Sequence, residues 1–267
     1  MTSINEPLFD EDPTLPPAPA ADFGNPQPVT PSLPETGAGL EELGPRDLRI
    51  PQLKIRQPLT LGADGVPEGS FFVTADPAFH SIGRDLVVLE VRKERSLMLP
   101  YGGGAAAEAV VERIAQRTGV EIPSDWEGPV CFSHDRIKPV ELEGLPVLSD
   151  TCADCPMNRW RTVKGRRSQD CAESYRLLAY DVITQQPCVF YARGSAIRPT
   201  RELLAQLQSM CERHKRPAYG FGVYMLTKRV EGSDGPYFVP VYQGTYLLED
   251  SAQISFYAAV RAKLASA

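Results

Sequence analysis

Cys152 and Cys155 stand in Thr-Cys-Ala-Asp-Cys-Pro, and a C-x-x-C turn sets two sulfurs at a separation suited to one tetrahedral ion. Twenty residues separate Cys131 from Cys152, and fifteen separate Cys155 from Cys171. Four thiolates in this order make a closed structural Zn²⁺ site, which needs four ligands and no open position. The connecting loops are polar and contain Gly144, Pro146, Pro156 and Gly165, so they can wrap an ion without a core of their own. The fourth ligand stays open between Cys131 and His134, which lies at C-x-x-H spacing in Cys-Phe-Ser-His; both serve if Cys171 does not. Two readings compete with the metal site: cysteines without a ligand, and a redox dithiol at Cys-Ala-Asp-Cys. Such motifs open a helix after a strand, whereas Pro156 follows here and no strand–helix–strand unit is visible. Cys188 alternates within a strand pattern and Cys211 sits on a helix pattern, so both are expected in the core.

Between Cys155 and Cys171 lie Arg159, Trp160, Arg161, Lys164, Arg166 and Arg167, with Asp170 the one acidic residue. Guanidinium groups around an indole suit a polyanion with stackable bases: the cations meet phosphates and the ring meets an unstacked base. Tyr191, Arg193 and Arg198 repeat that chemistry, and so do Tyr219, Phe221 and Tyr224 beside Arg213, Lys215 and Arg216. A row of aromatics on one strand face serves a core equally well.

The net charge of −6 is unevenly spread. Residues 1–47 hold nine acidic residues and one basic residue, a local charge of −8, which leaves +2 on residues 48–267. Ten prolines and few apolar residues make the first 45 residues unable to bury enough surface to offset ordering entropy, so 1–47 reads as a disordered acidic tail. Such a tail is expected to be inert, to dock a charged partner or to mask the basic body. The start, Met-Thr-Ser-Ile-Asn-Glu-Pro, has neither a positive nor an apolar stretch, and no run of about 18 apolar residues occurs; a cytoplasmic location without membrane insertion is expected.

The elements that must hold these residues follow from periodicity. Leu53 and Ile55 alternate with Gln52, Lys54 and Arg56 between Pro51 and Pro58, the pattern of an edge strand. Strands are expected at Ser70–Thr74 and along Asp85–Pro100, then a helix at Ala105–Arg117 ended by Gly119. Ser174–Ser195 reads as two strands joined near Thr184–Pro187, followed by a helix at Thr200–His214 capped by Thr200. A hairpin with a Gly-Ser-Asp-Gly turn and a short C-terminal helix close the chain. This order fits a β-rich α+β fold: a single OB-like, partly open barrel over 48–267, with a zinc-binding loop insertion at about 130–172 and peripheral helices.

The run formed by Cys131, Cys152, Cys155, Pro156, Gly165 and Cys171, then a strand pair, a helix and the hairpin Lys-Arg-Val-Glu-Gly-Ser-Asp-Gly-Pro-Tyr-Phe-Val-Pro-Val-Tyr, resembles single-stranded DNA-binding proteins of bacteriophages and prophages. The resemblance covers roughly Ile50–Leu248 and implies an OB-like barrel that binds single-stranded DNA in replication or recombination inside a bacterial host cell. Members commonly end in an acidic C-terminal tail; this chain ends Arg-Ala-Lys-Leu-Ala-Ser-Ala and carries its acidity at the N-terminus, the expected dock for a replication or recombination partner. Three scattered histidines, no carboxylate pair at motif spacing and no Ser-His-Asp signature argue for a binding protein rather than an enzyme. The alternatives are a zinc-stabilised protein that binds a host or phage replication enzyme, and a zinc-dependent nuclease.

Overall fold

The computed structural model describes residues 50–265, apart from 59, 61, 62, 101–103, 124, 127, 164, 165, 233 and 234. All of them belong to one compact unit, Leu43–Ala267, and the acidic segment 1–47 lies outside the described residues.

Eleven strands and three α-helices are present among these residues: β1 Gln52–Ile55, β2 Phe71–Val73, β3 Asp76–Ser81, β4 Gly83–Met98, α1 Gly104–Thr118, β5 Pro129–Ser133, β6 Arg161–Val163, β7 Arg166–Ser168, β8 Ala172–Asp181, β9 Gln186–Arg193, α2 Ile197–His214, β10 Phe221–Gly232, β11 Gly235–Leu247 and α3 Ser251–Ala265. Nine strands form one sheet in the order β11-β10-β4-β8-β9-β1-β2-β3, with β5 added to β4. The sheet curls into an open half-barrel, a β-rich α+β architecture compatible with an OB-like fold.

Both faces of the sheet's middle are buried, which explains why β4 runs Leu86-Val87-Val88-Leu89 without polar alternation. Leu86 and Val88 join Leu177, Phe190, Phe221 and Val223 in a core closed by Leu203 and Leu207 of α2. Val87 and Leu89 face the other way, onto Leu178, Val189 and the α3 residues Tyr257 and Val260. A β-bulge between Val88 and Glu90 then shifts the alternation, so Val91 packs on the α2 side. At about 3.3 Å per residue β4 runs for roughly 50 Å. Its second half leaves the central core and carries β5, α1 and the cysteine segment, which share a separate cluster around Leu97, Ile114, Val130 and Met157.

Two local expectations change. β1 is not an edge strand: it pairs with β9 in parallel and with β2 antiparallel, and its prolines lie just outside the paired residues. Thr200 is not a helix cap. α2 begins at Ile197, and the fully buried Thr200 hydroxyl bonds the Ala196 carbonyl at 2.8 Å and meets Tyr242 Oη at 2.9 Å.

Candidate nucleic-acid interface and metal centre

The register of three strands builds a charged face. Arg92 of β4 stands opposite Arg176 of β8, and Arg176 stands opposite Tyr191 of β9. One pleat further on, Glu94, Ser174 and Arg193 form the next row on the same side. The Arg193 guanidinium lies 5.2 Å from the centre of the Tyr191 ring. Arg92 pairs with Glu90, whereas Arg176 makes no side-chain hydrogen bond or ion pair among the described residues. Glu94 is 1% exposed at the centre of this face. Burial raises its carboxyl above the ordinary value, and Arg176, His134, Arg92 and Arg193 pull it back down. The carboxylate therefore stands among four groups that are cationic or able to become so.

The same face runs into a groove. β1 and β9 pair only through Gln52↔Val189 and Leu53↔Phe190, after which the strands part. A cavity of about 990 Å³ lies there, with Lys54, Tyr191 and Arg193 among its lining residues and Gly235–Phe238 of β11 forming another wall. Gln52 and Lys54 alternate with buried Leu53 and so lie on its opposite side.

The cysteines meet elsewhere, at the end of β4. β5 sets Cys131 opposite Leu97, Cys152 and Cys155 occupy the turn before Pro156–Asn158, and Cys171 immediately precedes β8. All four line one cavity of about 10 Å³, room for roughly one atom-sized guest. Cys152, Cys155 and Cys171 are buried. Burial, with Cys155 and Cys152 nearby, pushes the Cys131 thiol up to about 11; burial and the facing cysteines push Cys171 up to about 12. Neighbouring thiolates repel one another, so ionising Cys131 and Cys171 calls for a compensating cation. The backbone of the C-x-x-C turn is clamped by Asn158: its amide donates to the Cys152 carbonyl at 2.6 Å, its N–H reaches the Cys155 carbonyl at 3.0 Å, and its Oδ1 accepts from Gln169 at 2.6 Å and from Arg95. The donor set suits a soft tetrahedral ion. Among the described residues, however, no three His, Cys, Asp or Glu side chains already form a metal-holding group, so the thiols surround a common space without being drawn into a closed cage.

His134 does not line that space. Its ring packs edge-on to Phe132 at 4.6 Å and its Nδ1 lies 3.8 Å from Glu94, which places it on the charged face.

The expected nucleic-acid residues divide. Tyr191 and Arg193 lie together on the charged face. Arg159 and Trp160 are exposed beside the cysteine turn, Trp160 at 58%. Arg161 is held bidentate by Asp170 at 2.7 and 2.9 Å, a carboxylate that also receives Arg117 and Arg113 from α1. Lys164 lies outside the described residues, and for Arg166 and Arg167 only the backbone in β7 is described. Arg198 sits on α2, paired to Glu202. Phe221 is a correction: it is fully buried in the α2-side core, where no DNA strand reaches it. Tyr219 belongs to a short helical turn and packs on the α3-side cluster, and Tyr224 is half-buried on β10. Cys188 and Cys211 join the α2-side core, as their patterns suggest. Arg92, Arg176, Lys54 and Asn158 escape sequence reasoning because only strand register and turn geometry assemble them.

Comparison with family models, curated proteins and solved structures returns no match for this chain.

Proposed function

We propose that this protein binds single-stranded nucleic acid, DNA in the first instance, across the sheet face of β4, β8, β9 and β1. One observation carries the reading: Arg92–Arg176–Tyr191 and Ser174–Arg193 form successive rows that lead towards Lys54 and an aromatic-walled groove. Cations set beside an accessible ring suit a phosphate backbone with unstacked bases. The curled half-barrel supports an OB-like reading of the fold, and the resemblance to phage single-stranded DNA-binding proteins points to replication or recombination as the setting. Arg159 and Trp160 extend the same chemistry from the cysteine segment.

We also propose that Cys131, Cys152, Cys155 and Cys171 hold one Zn²⁺. A four-thiolate ion supplies cross-linking rather than catalysis. It would tie β5, the C-x-x-C turn and the start of β8 together, and so fix the loop that presents Arg159 and Trp160.

The test is a fluorescence titration with single-stranded and duplex DNA at two salt concentrations, using the native chain and Arg176→Ala/Arg193→Ala. The native chain is expected to prefer the single strand and to weaken with salt, and the variant to bind less tightly with a flatter salt slope. Equal titrations for both proteins place binding elsewhere; no binding by either removes the reading.

A further inference from the structure

The groove between β1 and β9 differs from the open face beside it. Its apolar wall comes from Leu53, Ile55 and Phe190, and Tyr237 and Phe238 stand across from them on β11. Ala196 and Ser195, at the entry to α2, also line it. Two cations, Lys54 and Arg193, belong to the lining, and no carboxylate does among the described residues. The Gln52 side-chain amide, also in the lining, makes no hydrogen bond among the described residues. Apolar walls, an amide able to read polar edges and two cations with no carboxylate beside them in the lining suit a nucleotide: a planar ring with polar edges, joined to a phosphate. The volume of about 990 Å³ is ample for it.

We propose that this groove takes an extruded base of the bound strand, with Lys54 and Arg193 meeting the flanking phosphates and Gln52 facing the base edge. The inference rests on the nucleic-acid reading above and adds a subsite to it: bases are enclosed at the strand seam while the backbone crosses the charged face. Gln57, the other amide in the lining, is taken up in bonding Phe238 of β11, which leaves Gln52 to face the base.

The experiment compares two fluorescent oligonucleotides of equal length, one of thymidines and one of abasic sites, on the full chain. Ser195→Trp, at an exposed position, fills the groove; Tyr237→Ala removes one wall. The native chain is expected to bind the thymidine strand about tenfold or more tightly than the abasic strand, in line with about 1–3 kcal/mol per stacked base. Both variants are expected to lose that preference, so that their thymidine affinity approaches their abasic affinity. Equal binding of the two oligonucleotides by the native chain overturns the base subsite while leaving the charged-face reading intact. A preference that survives in both variants also overturns it. Failure of the native chain to bind either oligonucleotide sinks the nucleic-acid reading itself, and the subsite with it.

Discussion

Gln57 and Phe238, 181 positions apart, exchange two hydrogen bonds of 2.8 Å: the Gln57 amide donates to the Phe238 carbonyl, and the Phe238 N–H donates to Gln57 Oε1. A side chain here imitates one rung of a β-ladder, holding the loop after β1 to β11 where no strand pairing exists. Gly69 supports the same seam. It adopts φ +77°, and a Cβ there would fall 2.5 Å from the Phe238 ring, so the close approach requires glycine. Thr227 Oγ1 adds a 2.6 Å bond to the Gly69 carbonyl.

Gln57→Ala removes both rungs and leaves Phe238 main-chain groups half-buried without their partner. The expected loss is about 1–3 kcal/mol in chemical denaturation. The groove wall is expected to loosen as well, so affinity for a thymidine strand falls while affinity for an abasic strand holds. A variant with unchanged stability and unchanged base preference shows that the seam does not depend on this pair.

Arg84 and Asp181 form a fully buried ion pair, Nη1 to Oδ2 at 3.3 Å. The Arg84 guanidinium also donates to the Phe79 carbonyl at 2.7 Å, and Asp181 Oδ1 accepts from the Ile183 N–H at 3.0 Å in the turn between β8 and β9. Removing one partner strands the other charge in the core. Arg84→Met is therefore expected to cost about 3–5 kcal/mol. Arg84→Met/Asp181→Asn, which keeps an acceptor for the turn but no lone charge, is expected to recover a large part of that loss. A double variant no more stable than the single would mean that the hydrogen bonds of Arg84, not its charge, carry the effect.

The elements legible in the sequence are those whose signals are local. The turn residues at Thr184–Pro187 and Gly232–Gly235 announce their hairpins, and the Ala105–Arg117 helix is bounded by Gly119, which adopts φ +72°. β3 is hidden because Asp76–Ser81 is largely exposed and begins with Asp-Pro. β1 misleads because flanking prolines imitate an edge strand, although Pro51 and Pro58 spare every residue of the ladder. The charged face is the least legible part. The bulge at Val88/Glu90 exchanges the inward and outward residues of β4, so Arg92 and Glu94 turn away from the α2 core instead of into it. Cysteine spacing does indicate which four thiols gather, since Cys131, Cys152, Cys155 and Cys171 line one cavity; it does not reveal that Asn158 clamps the turn.

One zinc per chain is the expected result of metal analysis on purified protein. Cys152→Ser is expected to abolish it, and Cys131→Ser to weaken it severely, because Cys131 and not His134 faces the cavity. His134→Ala is expected to keep the metal. Well-folded protein free of zinc, or loss of zinc on His134→Ala with retention on Cys131→Ser, sinks this assignment. Acidification is expected to release the ion, since protons compete for the sulfurs.

Asp85 and Tyr246 make a pH-dependent contact on the α3 side of the sheet. The Tyr246 hydroxyl donates to both carboxylate oxygens of Asp85, at 2.7 and 2.8 Å. Burial raises the Asp85 carboxyl above its ordinary 3.8, the Tyr246 hydrogen bond opposes the rise, and neighbouring Asp181 adds to it. The folded state thus holds the proton more tightly than the unfolded chain does. This group's contribution is most favourable below 3.8 and declines as pH climbs through the raised value. Asp85→Asn should flatten that decline, and Tyr246→Phe should deepen it by removing the contact that favours the ionised form. Burial and the adjacent Asp85 charge also raise the Tyr246 phenol, so it remains a donor throughout the neutral range. Urea midpoints measured from acid to neutral pH decide the matter. If the native chain and Asp85→Asn trace parallel curves, Asp85 does not set the slope, and the hydrogen bond from Tyr246 has offset the whole cost of burying it.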